Sequence, residues 1–532
     1  MARVSLLSLP LTLPPDGNRK PWPNLGQRLL PWLLPLALAA LWWTASRQHW
    51  MSEQVLPSPA LVAQSALELG SGELWSHLWI SLQRLLYGLL AGVGIGALFG
   101  ASLGFSRRAE RLVLPTFNAL AQIPTLAWIP LFMVFFGIGE LLKLVVLIKA
   151  IVVPVTLHTL VGVRDAQPRL REAAVVLRLS PYLLVRRLIL PAALPAFMAG
   201  LRLALAAGWT SLLAVELLAS SEGIGYLMVY ARQLFMLDIV FVCILVIGVI
   251  GVLMDRGIAL LDRRLVHWPH PATAQIPRGP RYHGWQRLQP WLLPLTLLVL
   301  WQLASELEWV DGSILASPLA VLHGTWSGLL DGSLPGSLGL SLKRTFAGLL
   351  LGGSLGLGLG LLLGLSKTGE RLLGPSLSAL RQIAIFAWVP LITAWFGLGE
   401  WAKVVFVGLA AFFPLFIATQ RSVAHLSPQL TEAARVLRLG LWQRLGKLVL
   451  PGAAPGIFAG LRLSLIYAWL GTLGAEYFMP SNGGIGSLMI GAQQLLRMDV
   501  IMAGMLVVGL TGALINLLGQ RLETRATRWR HA

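Results

Sequence analysis

The sequence predicts an all-α polytopic membrane protein of about twelve transmembrane helices, built as two parallel repeats of about six around a pseudo-two-fold axis. Three observations predict it. Of the 532 residues 56% are hydrophobic and only 12% charged, and the mean hydropathy is +0.72, far from the composition of soluble domains. The apolar runs are about twenty residues of Leu, Val, Ile, Ala and Gly without the alternation of a barrel strand, so the backbone must be satisfied inside helices. The chain also repeats itself at an offset of 259 to 261 residues. Pro31-Trp-Leu-Leu-Pro35 returns as Pro290-Trp-Leu-Leu-Pro294, Ser58-Pro59 as Ser317-Pro318, Phe136-Gly-Ile-Gly-Glu140 as Phe396-Gly-Leu-Gly-Glu400 and Trp209 as Trp469. Two halves with the same even number of spans are parallel, not inverted.

Residues 1–28 are polar and Pro-rich, with Arg19, Lys20 and Arg28 ahead of the first apolar run, as in a cytoplasmic tail. The first of the two repeated units is expected over 29–264. Its first span lies near Leu29 to Ala45, with Trp42, Trp43 and Trp50 at the far interface. Residues 47–75 carry Glu53, Glu68 and Glu73 and read as an external loop. A second span near His77 to Gly104 ends at Arg107, Arg108 and Arg111. The third and fourth, near Leu112 to Phe136 and Glu140 to Val163, are parted by a tight Gly137-Ile-Gly139 turn. The fifth and sixth lie near Pro195 to Ser220 and Asp238 to Leu261, before Arg263 and Arg264. Residues 265–286, with His267, Pro269, His270, Pro271, Pro277 and Pro280, form a solvated linker. Residues 287–532 repeat the first unit.

With both termini inside, the basic loops face the cytoplasm and the Glu-rich loop faces out. This positive-inside pattern accounts for the net charge of +19 without a nucleic-acid partner. The lone Cys243 excludes an internal disulfide and a cysteine metal cluster. No paired carboxylates, histidine cluster or nucleophile arrangement suggests covalent chemistry or a metal site.

Three patterns stand out. Gly88, Gly92, Gly96, Gly100 and Gly104, with their copies Gly348, Gly352, Gly356, Gly360 and Gly364, give one glycine face per second span, which is a helix-packing device. Gly364-Leu-Ser-Lys-Thr368 is a basic turn and not a phosphate loop, because Ser366 holds the required glycine position. Arg84 and Arg344 match early in the second span of each half, and Glu216 and Glu476 late in the fifth. Charges inside spans are costly and commonly face the bundle interior, so these four, toward the external side, snorkel to the interface or pair Arg to Glu, or else meet solute, with the arginines as candidates for attracting an anion. Trp209 and Trp469 are further candidates for lining a path. Thr125 against Ile385 and His158 against Ala418 break the symmetry of the halves.

Beside these lies a charged stretch, Pro168 to Tyr182, which returns as Pro428 to Trp442. Leu170, Ala173, Ala174 and Leu177, and likewise Leu430, Ala433, Ala434 and Leu437, fall at i, i+3, i+4 and i+7, an apolar stripe on a short helix. Glu172, Arg178, Glu432, Arg435 and Arg438 surround it with charge, as on a knob that docks a soluble partner.

These residues also carry a resemblance. Glu-Ala-Ala, a turn and an aromatic, then Leu190-Pro191-Ala-Ala-Leu-Pro195 (Leu450-Pro451-Gly-Ala-Ala-Pro455), resemble the coupling loop of membrane permeases of bacterial ATP-binding-cassette importers. Gly200-Leu-Arg-Leu203, Gly460-Leu-Arg-Leu463, Ala127-Trp-Ile-Pro130 and Ala387-Trp-Val-Pro390 are similar to the sulfonate, taurine and nitrate branch. The resemblance covers nearly the whole chain, twice. It implies a type I importer permease fold with two permease domains fused, in the bacterial inner membrane. It implies two cytoplasmic nucleotide-binding subunits gripping Glu172, Ala173, Ala174, Arg178, Glu432, Ala433, Ala434 and Arg438. It further implies an external solute-binding protein, ATP and Mg on the partner subunits with no cofactor on this chain, and a small anionic solute. The alternative is an ion-gradient-driven secondary transporter with duplicated six-helix halves, which needs an embedded acidic relay. One departure is plain: the family's loop has glycine six residues after its Glu, where Arg178 and Arg438 stand. Arginine there implies a turn shifted to Ser180 and Gly440, or backbone strain.

Overall fold

The helices follow the same order in both halves. The first half comprises α1 (Leu25–Arg47), α2 (Pro59–Gly70), α3 (Glu73–Phe105), α4 (Arg107–Gln122), α5 (Ile129–Phe136), α6 (Glu140–Arg164), α7 (Pro181–Ala219), α8 (Ile224–Gln233) and α9 (Leu237–Leu265). The second comprises α10 (Gln289–Glu306), α11 (Pro318–Leu330), α12 (Ser333–Leu365), α13 (Lys367–Gln382), α14 (Val389–Phe396), α15 (Glu400–Ala424), α16 (Trp442–Phe478), α17 (Ile485–Gln494) and α18 (Met498–Ala526). The structure is a computed structural model that describes residues 25–164, 174, 176–267, 288–309, 311–312, 314–427, 429, 432, 434, 436–480 and 483–527. Most of the expected tail 1–28 and linker 265–286 lies outside these residues, as do Glu172, Ala173 and Ala433.

Eight helices (α3, α6, α7, α9, α12, α15, α16, α18) are long and apolar enough to cross a membrane, and α4 with α5 and α13 with α14 make two more spans bent by 88° and 94°. With α1 and α10, whose Trp32, Leu36, Trp43, Trp291 and Leu295 stand exposed, the count is about twelve.

The glycine face packs α3 on α6. A Cβ on Gly92 would lie 2.7 Å from Ile151, one on Gly96 2.9 Å from Val155 and one on Gly104 2.8 Å from Val163, so only glycine lets the two backbones approach this closely. In the second half Gly352 meets the Gly408 carbonyl and Gly356 the Phe412 carbonyl of α15. On its other side α6 packs on α7, and α15 on α16.

Three departures from the sequence reading have local causes. The expected external loop 47–75 holds α2, which Ser58 caps by accepting the Leu61 N–H and Pro59 starts, and which buries Val62 and Leu69. The fifth span begins at Pro181, not Pro195, because Ser180 caps it from the first turn. The third span is broken. Ile123 (ψ 115°) and Pro124 (ψ 148°) are extended, as a residue before proline prefers. In the second copy Ile383 (ψ 121°) and Ala384 (ψ 136°) repeat the break without a proline, so packing enforces it there. Each break lies beneath the last helix of the opposite half: Gly248 and Gly251 of α9 fit against Ile383 and Gln382, and Gly509 of α18 against Ile123.

The halves interlock further. Helix α1 packs on α13 and α10 packs on α4. The Trp395 indole N–H reaches across to donate to the Val55 carbonyl at 2.9 Å.

Candidate functional site

The described residues of the repeated stretch lead into α7 and α16, and at the end of α6 that precedes the first copy Arg164 pairs with Glu110 at 2.8 Å and ties α6 to α4. Ala174 and Ala434 are buried, each at 5% exposure. Glu432, Arg178 and Arg438 are exposed. Leu177 and Leu437 do not continue the buried face. They stand out at 70% and 69% exposure with Val176, Val436, Tyr182 and Trp442, because the helix ends at Val176 and Val436 and the chain turns. That turn has not shifted to Ser180 or Gly440. Arg178 (φ 47°) and Arg438 (φ 45°) adopt the left-handed conformation themselves, and the N–H of Leu179 and Leu439 closes back on the carbonyl of Ala174 and Ala434 at 3.1 Å. This is the geometry glycine normally serves, held here by arginine.

From each turn the chain enters α7 or α16 through one wide helical turn, Val185–Ile189 or Leu445–Val449. Both lie directly before Pro191 and Pro451, whose missing N–H and bulky ring break the regular ladder one turn back. Each handle is thereby continuous with a helix that runs to the centre of the protein.

At the other end Arg84 (3% exposed) forms the hub of a polar cluster. Its Nε and Nη2 donate to Glu140 at 2.8 and 2.6 Å, and its Nη1 donates to Glu216 and to the Glu222 carbonyl, both at 2.8 Å. Glu216 also accepts from the Ser81 hydroxyl and the Gly225 N–H. Arg344 repeats the set with Glu400, Glu476 and the Gly483 carbonyl, at 2.6 to 2.9 Å. The structure thus brings Arg84 to Glu216 and Arg344 to Glu476, and staples α3, α6 and α7 at one point. The sequence reading missed Glu140 and Glu400 as partners. Their signal was a carboxylate that opens both fourth spans.

The pseudo-two-fold axis is closed by apolar side chains. A Cβ on Gly474 would stand 2.6 Å from Phe386 and 3.5 Å from Leu126, which are equivalent residues of the two breaks, so the axis passes between them. Phe386 packs further on Phe406 and Phe478, with ring centroids at 5.8 and 5.3 Å. Trp209 and Trp469 are buried against this centre (4% and 2% exposed) with their indole N–H groups unpartnered among the described residues.

The polar groups near the axis are unequal. Arg202 pairs with Asp255 at 2.6 Å, while its copy Arg462 faces Asn516 and Glu523. Arg381 and Arg421 flank a cavity of about 80 Å³ in the second half, where the first has Ala121 and Val161. Lys149, inside α6, donates to the Ile123 carbonyl at 2.9 Å, and its copy is Leu409. The sequence reading missed this lysine too, although a lone cation in one of two matching apolar spans was the available signal.

A family model described as "Binding-protein-dependent transport system inner membrane component" matches residues 92–267 and again 354–529. The "Putative aliphatic sulfonates transport permease protein SsuC" of Bacillus subtilis is 36% identical over 266 residues, covering 49% of this chain and 95% of the relative. The protein of the same name in Escherichia coli is 38% identical over 257 residues, covering 48% of this chain and 94% of the relative. "Taurine transport system permease protein TauC" of Escherichia coli is 33% identical over 263 residues, covering 46% of this chain and 96% of the relative. Each of these relatives corresponds to about half of the chain. Two matched units on two helical repeats show that the chain belongs to the binding-protein-dependent transport system inner membrane component family, transport permeases of the ABC type, and that it is a fused double permease.

Proposed function

We propose that this chain forms the translocation unit of an ATP-driven importer, moving a small anionic solute of the sulfonate or taurine kind inward by alternating access. Separate ATPase subunits with ATP and Mg drive it, and an external binding protein delivers the solute to the Arg84 end. The units 29–264 and 287–532 act as the two permease domains, with both chain termini in the cytoplasm. The names of the relatives support the solute class.

The observation that carries the reading is the pair of matching, unpartnered apolar knobs. Val176, Leu177 and Tyr182, and again Val436, Leu437 and Trp442, project at 66 to 82% exposure from one end of the bundle. Exposed apolar side chains in duplicate, ringed by arginines, fit sockets on two soluble subunits. The lever behind each is long: α7 runs 39 residues, about 58 Å at 1.5 Å per residue. Drawing the two handles together would swing α7 and α16 against one another and open or close the Leu126–Phe386 contact. The rival, a gradient-driven carrier, needs an acidic group free to relay an ion. Glu216 and Glu476 are instead each held by an arginine, a serine and a backbone N–H.

The test is co-purification in mild detergent with the ATPase subunits. Leu177→Asp with Leu437→Asp is expected to release them and to abolish uptake, as is Glu172→Arg with Glu432→Arg. Uptake that survives these changes and collapses with the proton or sodium gradient would favour the carrier.

A further inference from the structure

We infer that Lys149, Trp128 and Thr125 form a binding subsite for one small monoanion, built into the first half alone and placed beside the closure at the axis. A cation within an apolar span is costly unless a carboxylate compensates it. Lys149 meets none among the described residues. Its ammonium donates to the Ile123 carbonyl at 2.9 Å, lies 3.4 Å from the Thr125 hydroxyl and sits 5.3 Å from the centre of the Trp128 ring. An ammonium has three donors, and a carbonyl, a long hydroxyl contact and a ring face leave its charge unneutralised. The Trp128 indole N–H, buried beside it, has no hydrogen-bond partner among the described residues. Two donors and one net positive charge therefore meet where the third span breaks, next to Leu126. Lys149 itself is half-buried.

The simpler role for Lys149 would be to cap the carbonyl that the broken helix releases. The second half argues against that role. Its break has the same extended geometry, with ψ of 121° at Ile383 against 115° at Ile123, and it forms with Leu409 in place of the lysine and Ile385 in place of the threonine. The fold does not need the cap. Both polar groups are absent together from one half and present together in the other, which gives one anion subsite per fused chain. The net charge selects a monoanion, and hydroxyl, ammonium and indole donors suit an oxyanion head such as a sulfonate. This inference deepens the importer reading and rests on it.

The full chain, purified in detergent, is heated in rising concentrations of methanesulfonate, and of neutral methanesulfonamide, at fixed ionic strength in gluconate. Methanesulfonate is expected to protect the wild type and the amide is not. In Lys149→Leu, which installs the second half's residue, the concentration for half-protection is expected to rise about tenfold or more, the worth of a hydrogen bond to a charged group. Lys149→Arg should keep most of the protection. Thr125→Ile, which leaves the cation in place, should raise the concentration by a smaller factor, and it carries the test if Lys149→Leu does not fold. Equal protection of wild type and Lys149→Leu, or no protection of the wild type, overturns the inference. Neither result touches the importer reading, because capture of the ATPase subunits through Leu177 and Leu437 is scored separately.

Discussion

Replacing Arg84 with leucine would leave Glu216 at 1% exposure with its counter-charge gone. The structure lets the cost be apportioned. The bond from Nη1 to Glu216, at 2.8 Å, is buried on both sides, with side-chain exposures of 4% and 0%. Removing one member of such a pair costs about 3 to 5 kcal/mol, because the remaining charge stays desolvated. The two bonds to Glu140 add little, since the Glu140 side chain is 59% exposed and is re-solvated when they break. Thermal unfolding of the purified chain, followed by intrinsic fluorescence, should fall by about 3 to 5 °C. The double variant Arg84→Leu with Glu216→Leu removes both charges and should recover more than half of that loss, so that, with Glu216→Leu as the second single, the losses are strongly non-additive. Arg344→Leu provides an internal replicate, because its partners are the same residue types at distances within about 0.1 Å. A loss below about 1 kcal/mol in Arg84→Leu, or a double variant whose losses simply add, would refute the assignment of Arg84 as a buried structural partner.

The glycine face gives a paired prediction on one helix. Gly92→Leu, against Ile151 at 2.7 Å, should destabilise by about 1 to 3 kcal/mol or prevent accumulation in the membrane, while Gly94→Leu, with nothing within 4 Å, should be near neutral in the same melting assay. At the left-handed turns, Arg178→Gly relieves about 1 kcal/mol of backbone strain and loses about as much to the freer unfolded chain, so melting should be unchanged. Arg178→Val keeps the φ of 47° but adds a β-branch, and is expected to lower melting and weaken capture of the ATPase subunits together. Expressing residues 1–267 and 268–532 as separate chains should give fragments that accumulate only when made together, measured by immunoblotting of membranes; accumulation of either alone would contradict the interlock of α1 with α13.

The repeat, the span order, the glycine faces and the duplicated charged stretch were legible because each leaves a periodic or duplicated mark in the sequence. The break after Gln122 was not. Pro124 marks it in one copy, but Ala384 occupies the other, where the opposing Gly248 and Gly251 of a distant helix impose the bend. The pairing of Arg84 with Glu216 was among the readings the sequence offers, but the clamp also needs Glu140, whose mark, a carboxylate opening both fourth spans, does not say which arginine it meets. Of the two readings of the turn at Arg178, strain in place holds and the shift to Ser180 does not. Local propensity disfavours arginine at positive φ, whereas the closure of Leu179 onto Ala174 fixes the conformation regardless. Leu177 was grouped with Ala174 by spacing alone, and spacing fails where a helix stops.

The crossed seats of α1 and α10 set an order of assembly. When α1 enters the bilayer the surface it will rest on has not been synthesised, and it must wait among lipids until α13 arrives. α10, in contrast, finds α4 already in place. Of these two clasps the later to fasten holds the first helix made, so a chain stalled by the ribosome after the first half would carry an orphan segment open to membrane quality-control proteases. Joining the two units in a single polypeptide guarantees that the missing seat is delivered next door, in fixed stoichiometry, and always by the dissimilar twin.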